Sequence, residues 1–300
     1  MSTEAMAQIR RVGFACVSHD GSLSTNHTLR LADLSPGKVA AAGHRNLDDL
    51  EKLLFGMSQG PLRMLRLGGS TIPFASHGKM DFDWQGIFAG RLADIGATYA
   101  SQGFRFSMHP GQYCVLNSLN PDTVKAAIRE IDYAVTTLDL MGLDREHKVI
   151  VHGGAVAGDR EASTARLVEV VGSLPQRLKD RLVLENDERL FSVEQIAPVG
   201  EATGVPIVFD IHHHRLNPGS LSPEDAIARV CATWGDVRPK FHISSQKPNA
   251  RFGAHDDMVF PEDIDILAHA IRCDIDLMVE AKAKEVAAMG VWRHLHPEVP

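Results

Sequence analysis

The chain has 300 residues, 44% of them hydrophobic, and a formal net charge of −7 at pH 7. This composition is typical of a globular protein with a sizeable core, and the negative charge argues against broad nonspecific binding to nucleic acid, though not against a local basic patch. Without a long apolar run we expect neither a signal peptide nor a membrane span, and the four scattered cysteines fit free thiols in a reducing cytoplasm.

Short apolar runs alternate with amphipathic stretches along the whole chain. The predicted strands cover residues 11–16, 62–69, 104–110, 148–154, 181–187, 206–212, 239–245 and 274–280. The predicted helices cover residues 46–57, 85–101, 121–142, 163–178, 192–204, 222–235, 261–272 and 281–295. Asn46 and Asn120 are the predicted N-caps of the first and third helices. This alternation indicates parallel βαβ units, and eight units predict an α/β fold of the TIM (β/α)8 barrel type, one domain over residues 1–300, in preference to an open doubly wound sheet.

Side chains that bind metals or transfer protons lie at the ends of the third to eighth predicted strands. In a TIM barrel these ends gather at one rim. Taken singly, each residue is more often a hydrogen-bonded structural group, but together they would be costly to bury without a cation. Such candidates outnumber the three or four ligands of one zinc ion, which predicts a cluster of two or three divalent ions. The residues are His109, His152, Glu185, Asp210, Lys240, His242 and Glu280.

Seven motifs resemble those of the UV damage endonuclease family, UvdE, in the same order and over about residues 11–285. They are SMHPGQYCVLNS (107–118), VHGG (151–154), LENDE (184–188), FDIHHHRLNP (209–218), KFHISSQ (240–246), HDDM (255–258) and MVEAKAKE (278–285). The resemblance implies a TIM barrel related to endonuclease-IV-type AP endonucleases. It implies hydrolysis of the phosphodiester immediately 5′ of UV photoproducts by a multi-metal hydroxide mechanism. The ion expected first is Mn²⁺, with Zn²⁺ or Fe²⁺ as alternatives.

The resemblance also implies a ligand set. Glu185 would bridge two ions, Asp210 would share a site with His242 and Glu280, and a third ion would lie between His213 and His255. A ligand at His213, three residues after Asp210, requires the strand to end and the chain to turn at Ile211, which leaves His212 and His214 behind the ligands or towards solvent. The implied ligands are His109, His152, Glu185, Asp210, His213, His242, His255 and Glu280.

Further roles follow from the same resemblance. His77, in STIPFASH, would lie near the scissile phosphate, although it would otherwise count as a loop histidine. Gln112 and Tyr113 would enter the duplex where damaged bases are flipped out, although PGQY alone would indicate a surface turn. Lys240 shares a strand face with His242, and burial there would lower its pKa and favour proton transfer or carbamylation. Glu185, His77 and Lys240 are therefore the predicted catalytic residues.

The partner implied is UV-damaged double-stranded DNA, with no membrane and no obligate protein partner, in the cytoplasm and at the nucleoid. Phe14 departs from the family, which often has a tyrosine there whose hydroxyl would reach DNA or metal. The alternatives are a metal-dependent TIM-barrel sugar isomerase or epimerase, an AP-site endonuclease, and a noncatalytic damage-binding or metal-storage protein. Basic residues expected near the DNA are Lys79, Arg189, Arg215, Lys247, Arg251, Lys282 and Lys284.

Overall fold

A computed structural model describes residues 9–78 and 82–299 of the protein. Within these residues, parallel strands form a closed barrel in which each strand pairs with the next along the chain and the last pairs with the first. The strands are β1 (Ile9–Ala15), β2 (Met64–Leu67), β3 (Arg105–Met108), β4 (Lys148–His152), β5 (Leu182–Glu185), β6 (Ile207–Asp210), β7 (Lys240–Ile243) and β8 (Ile275–Val279). The predicted TIM barrel is confirmed.

Helices surround the barrel and connect its strands. They are α1 (Pro36–Ser58), α2 (Trp84–Ala100), α3 (Pro121–Leu140), α4 (Arg160–Ser173), α5 (Gln176–Lys179), α6 (Val193–Thr203), α7 (Ile211–Leu216), α8 (Pro223–Ala232), α9 (Pro261–Ala270) and α10 (Lys284–Leu295). None of these described helices combines the length and apolar character needed to cross a membrane.

Three helix boundaries differ from those predicted. The first helix begins ten residues earlier, capped by Ser35, whose side chain accepts from the Lys38 N–H. Asn46 is therefore not an N-cap but a buried helical residue, and its amide donates to the backbone of His27, Ser70 and Thr71. The predicted helix over residues 163–178 is split between α4 and α5, because Pro175 cannot continue a helix hydrogen-bond ladder. The third difference is α7, which begins at Ile211 inside the strand predicted over residues 206–212, at the turn that the resemblance requires.

The two faces of the barrel wall have different chemistry. Residues that point outward pack with the helices in one extended apolar core, as Phe241 and Leu277 do. Residues that point inward include buried polar groups, because alternate positions of a strand face opposite sides. In β7, Lys240 and His242 share the inner face, and the Lys240 amine donates across the barrel to Ser107 of β3 at 2.7 Å. The barrel interior therefore holds buried polar side chains along its length, from Arg105 and Asp276 near the N-terminal ends of the strands to His242.

Candidate metal centre at the barrel rim

Glu185, at the end of β5, lies at the middle of a ring of histidines. Its Oε2 is 3.1 Å from His109 Nε2 and 3.9 Å from His152 Nδ1, and its Oε1 is 2.6 Å from His242 Nδ1. The side chain is buried, which alone would raise its pKa, but the neighbouring imidazoles of His242 and His152 outweigh burial and hold the pKa well below its usual value. Glu185 is therefore an ionised carboxylate whose two oxygens face different imidazoles.

Three groups of potential ligands share this carboxylate. In each group, one ligand atom per residue lies within 4.8 Å of the others. Because Glu185 belongs to all three, it is placed to bridge more than one cation. The groups are His109 with His152 and Glu185, Glu185 with Asp210 and His213, and Glu185 with His242 and Glu280. We call these seven residues the ligand cluster.

Glu280 enters the cluster from β8 with a basic partner. It forms an ion pair with Arg66 of β2, and its Oε1 lies 3.2 Å from His242 Nδ1. Burial raises the pKa of Glu280, but Arg66 and His242 outweigh that effect and hold the pKa well below its usual value. Arg66 therefore keeps this carboxylate ionised inside the barrel.

Asp210 and His213 are joined by the start of α7. β6 ends at Asp210, and the Asp210 side chain caps α7 by accepting from the His213 N–H at 2.9 Å. Asn186 holds both residues: its Oδ1 accepts from the Asp210 N–H at 2.9 Å, and its backbone oxygen lies 2.9 Å from His213 Nδ1. Burial lowers the pKa of His213, but Asp210 and Glu185 outweigh burial and raise it to about 9. The expected turn at Ile211 is confirmed, and it brings the His213 side chain close to Asp210.

The donor atoms of the cluster fit divalent cations. Within the described part of the chain, His242 Nε2, Asp210 Oδ2 and His152 Nδ1 are buried without a hydrogen-bond partner. Buried polar atoms are normally satisfied, and a missing ion is one reason for an exception. Imidazole nitrogens and carboxylate oxygens without thiolate are the donors that Mn²⁺, Zn²⁺ and Fe²⁺ accept.

Three of the predicted metal-binding or catalytic residues lie outside these groups. His255 Nδ1 is 2.7 Å from the backbone oxygen of Glu280, and its ring centroid is 6.2 Å from that of His213, so it adjoins the cluster. His77 lies in the loop after β2, beside Phe74, and lines a cleft with Ser70 and Glu130. Lys240 is fully buried below the cluster, where desolvation, with Arg66 and Arg105, lowers its pKa well below its usual value.

Two clefts open at the same rim. The first, which we call the basic cleft, has a volume of about 430 Å³ and reaches the cluster at Glu280. The second, which we call the probe cleft, has a volume of about 340 Å³ and reaches the cluster at His152. Gln112 lines the probe cleft, and the neighbouring Tyr113 is 84% exposed. The basic side chains of the basic cleft are Arg66, Arg251, Lys282 and Lys284.

A sequence model of the family described as UV-endonuclease UvdE matches residues 10–298 of this chain. The chain belongs to the UvdE family. Among curated UvdE relatives, the UV DNA damage endonuclease of Clostridium perfringens is 30% identical over 284 residues, covering 93% of this chain and 69% of its own. That of Bacillus cereus strain Q1 is 29% identical over 287 residues, covering 88% of this chain and 90% of its own.

Solved structures agree with this assignment. SacUVDE superposes with a TM-score of 0.91 at 33% identity, covering 96% of this chain and 98% of its own. D-Psicose 3-epimerase from Clostridium cellulolyticum superposes with a TM-score of 0.53 at 14% identity, covering 84% of this chain and 87% of its own. The second likeness shows only that sugar epimerases share the barrel fold.

Two expectations for His212 and His214 were left open in this UvdE-family chain, a place behind the ligands or one towards solvent. Both side chains are buried, with His214 against Phe209, which excludes the position towards solvent. Phe14 is 1% exposed and lines a cavity between barrel and helices with Leu53.

Not all of the expected basic residues are free for DNA. Arg215 forms an ion pair with Asp263, and Lys247 lies 3.3 Å from Asp257. Arg251, Lys282 and Lys284 line the basic cleft as expected near the rim. Lys79 lies outside the described residues.

Two residues that orient the ligands were missed by sequence reasoning. Arg66 lies between Leu65 and Leu67 in the four-residue strand β2. Because successive side chains of a strand point to opposite faces of the sheet, the Arg66 side chain faces away from the two leucines, and this could have been noticed in the sequence. Asn186 follows Glu185 directly, inside the LENDE motif, where no role was predicted for it. Its link from β5 to Asp210 depends on the pairing of β5 with β6, which no local motif reveals.

Proposed function

We propose that this chain is a metal-dependent DNA repair endonuclease that hydrolyses the phosphodiester 5′ of UV photoproducts in duplex DNA. The observation that carries the proposal is the ligand cluster: three groups of potential ligands around one buried carboxylate, at the rim of a UvdE-family barrel. Membership of the UvdE family supports a DNA repair nuclease. The relatives are named UV DNA damage endonucleases, which is the reason for proposing UV photoproducts as the lesions.

The ligand cluster, with His255 beside it, would hold two or three divalent ions, and we expect Mn²⁺ first. When bound, such ions supply Lewis-acid stabilisation of phosphate oxygens and lower the pKa of water. The protein contributes orientation. Asn186 fixes Asp210 and His213, Arg66 keeps Glu280 ionised, and the fully buried Glu185 remains a carboxylate. These contacts keep the donor atoms in place before any ion or substrate arrives.

The rest of the rim would hold the DNA. The cationic side chains of the basic cleft are suited to backbone phosphates next to the cluster. Tyr113 projects into solvent beside the probe cleft and would stack on bases exposed by an extruded lesion, with Gln112 bonding to their edges. His77 would meet the DNA near the scissile phosphate, and Lys240 would donate a hydrogen bond or a proton from below the cluster.

A nicking assay tests the proposal. The protein is freed of metal by chelation, given Mn²⁺, Zn²⁺ or Fe²⁺ in turn, and incubated with a duplex that carries one cyclobutane pyrimidine dimer. We expect a single cut immediately 5′ of the dimer in at least one metal, with an undamaged duplex left intact. Mapping the ends by gel electrophoresis should show a 3′-hydroxyl and a 5′-phosphate.

The alternatives predict other outcomes when the same metal-loaded protein is also given an abasic-site duplex and a ketose. Cutting only at an abasic site would support an AP-site endonuclease. Turnover of a ketose without nicking would support a sugar epimerase, for which the shared fold is the only present argument. Binding of the damaged duplex without a cut in any metal would support a damage-binding protein. Each of these results contradicts the proposed reaction.

A further inference from the structure

An exposed aromatic ring lies at the rim and has not been used so far. Phe252 is 48% exposed and stands in the segment between β7 and α9. Single exposed hydrophobic residues are common and need no function. Three features distinguish Phe252: the segment that carries it is held in place, its ring is backed by a cation, and it lies between the two clefts.

Side-chain and backbone hydrogen bonds hold the segment in a hairpin. The Gln246 side chain donates to the Arg251 backbone oxygen at 3.0 Å and accepts from the Gly253 N–H at 2.9 Å. The Lys247 N–H donates to the Ala254 oxygen at 2.8 Å. Gly253 has a φ of +80°, and an added Cβ would lie 3.0 Å from Glu188, so the backbone after Phe252 requires glycine. The ring is therefore presented by an ordered turn.

Arg189, from the segment after β5, backs the ring. Its guanidinium carbon lies 5.5 Å from the centre of the Phe252 ring, and its Nη2 donates to the Phe252 backbone oxygen at 3.4 Å. Arg189 Nε in turn lies 3.6 Å from Glu188, whose other carboxylate oxygen lies 4.0 Å from His213 Nε2. A short series of contacts thus connects the ring to the ligand cluster.

The hairpin separates the two clefts. Arg251 and Gly253, on either side of Phe252 in sequence, line the basic cleft. Arg189 and Glu188 line the probe cleft, on the side of Gln112. A DNA strand with its phosphates in the basic cleft and its lesion next to Tyr113 would pass over this hairpin.

We propose that Phe252, backed by Arg189, is a stacking platform for a nucleobase that leaves the duplex at the lesion. This inference rests on the proposed function and adds to it a second aromatic contact besides Tyr113. A flat ring with cationic neighbours accepts any base without reading its edge, because every base has a π face. Extruded bases lose their stacking partners in the duplex, and the platform replaces one of them.

Three variants test the platform: Phe252→Ala, Phe252→Trp and, as a matched control, Phe55→Ala. Phe55 is 65% exposed on α1, near the end of the helix that lies away from the rim. The probe is a duplex with one cyclobutane dimer, a phosphorothioate 5′ of the dimer to slow cutting, and 2-aminopurine next to the dimer. Fluorescence anisotropy gives affinity, and 2-aminopurine emission reports stacking of that base.

We expect Phe252→Ala to bind the damaged duplex about tenfold more weakly, with increased 2-aminopurine emission, and to bind undamaged duplex as the wild type does. Phe252→Trp should restore both readings, and Phe55→Ala should change neither. Metal content and melting temperature should match the wild type in all three. The platform alone is overturned if Phe252→Ala weakens binding to damaged and undamaged duplex equally, or does not change it, while the wild type still nicks 5′ of the dimer. Failure of the wild type to bind or nick damaged duplex in any metal overturns the proposed function and the platform with it.

Discussion

At the residue scale, the geometry of the rim depends on one carboxylate. Glu185 takes part in all three groups of the ligand cluster, so it has no substitute within them. Glutamine, the neutral isostere, would remove the negative charge that the surrounding imidazoles face. It would also remove the carboxylate that the three groups of the ligand cluster share.

We therefore expect Glu185→Gln to lose most of the bound metal and to lower nicking by more than about 100-fold, since even residues that only support ligands change metal affinity or activity 10- to 100-fold. Elemental analysis of the purified protein and the nicking assay check this. The control is Glu201→Gln, because Glu201 only pairs with Arg229 on the surface at 2.8 Å. Wild-type metal content in Glu185→Gln would contradict a bridging role.

A buried histidine with a shifted pKa lies at the N-terminal ends of the strands, away from the rim. His147 is buried just before β4, and its Nδ1 accepts from the Phe106 N–H at 2.8 Å. Asp144 and Glu146 are close enough to form another group of potential ligands, but Glu146 is already paired with Arg11 at 2.6 Å. Burial lowers the pKa of His147 to about 4 from a usual 6.5. The neutral ring is thus a structural hydrogen-bond acceptor.

The pKa of His147 is lower in the folded protein than in the unfolded one, so the neutral ring favours the folded state at pH values above 6.5. This contribution to stability is lost as the pH falls from 6.5 towards 4. Between pH 7 and pH 5 the free energy of unfolding should fall by about 2 kcal/mol more in the wild type than in His147→Gln, which does not titrate. Urea unfolding of the metal-free proteins at both pH values measures the difference. Parallel pH profiles of the two proteins would contradict it.

At the element scale, the short helix α7 couples folding to the site. Asp210 ends β6, caps α7 with Oδ1, and leaves Oδ2 buried without a hydrogen-bond partner among the described residues. The helix places His213 near Glu185 only because the cap starts it at Ile211. One residue therefore serves as both a structural cap and a proposed ligand.

Two substitutions separate these roles. Asn at 210 keeps an oxygen for the cap, whereas Ala removes it, so Asp210→Ala should be about 1 kcal/mol less stable than Asp210→Asn in metal-free urea unfolding. Both variants should lose metal affinity, measured by titration calorimetry. The control is Asp159, which caps α4 by accepting from Ala162 at 2.7 Å: its Asn and Ala variants should differ in stability and keep metal. Equal stability of the two Asp210 variants would exclude the cap, and unchanged metal affinity would exclude the ligand.

At the scale of the whole molecule, charge is distributed unevenly. The chain carries a net charge of −7, yet Arg66, Arg251, Lys282 and Lys284 meet in one cleft at the rim. An acidic surface elsewhere repels DNA and favours approach by this face. Binding to DNA should therefore depend on salt through a few local contacts.

Replacing Arg251, Lys282 and Lys284 together by Ala should reduce the slope of log affinity against log salt concentration by about two to three, since each lost phosphate contact contributes about one. The loss should be similar for damaged and undamaged duplexes, because phosphates carry no lesion information. Arg145→Ala, Lys179→Ala and Arg272→Ala, combined, form the control with the same number of removed charges, because these residues are at least partly exposed and precede β4, β5 and β8 at the end of the barrel away from the rim. An unchanged slope in the first variant would show that DNA does not occupy the basic cleft.

The sequence predicted the barrel correctly because each βαβ unit is encoded locally. The strand predicted over residues 206–212 and the N-cap at Asn120 depend only on neighbours in the chain; the structure has the strand as Ile207–Asp210 and confirms the cap. Helix boundaries were predicted less accurately where the contact that sets the boundary joins residues far apart in the sequence. Asn46 has the residue type of an N-cap, but its partners His27, Ser70 and Thr71 lie 19 to 25 residues away, so its place inside α1 could not be read locally.

The sequence by itself determined the fold, the family and the identity of the residues at the rim, because strand ends in a TIM barrel must converge. Only the tertiary structure decided how those residues group: Asp210 with His213, Glu280 with Arg66, and Lys240 below the cluster against Ser107. Strand pairing and the turn into α7 set these distances. The contacts join residues as far apart in sequence as Arg66 and Glu280. Spacing along the chain does not predict which side chains face each other across a closed barrel.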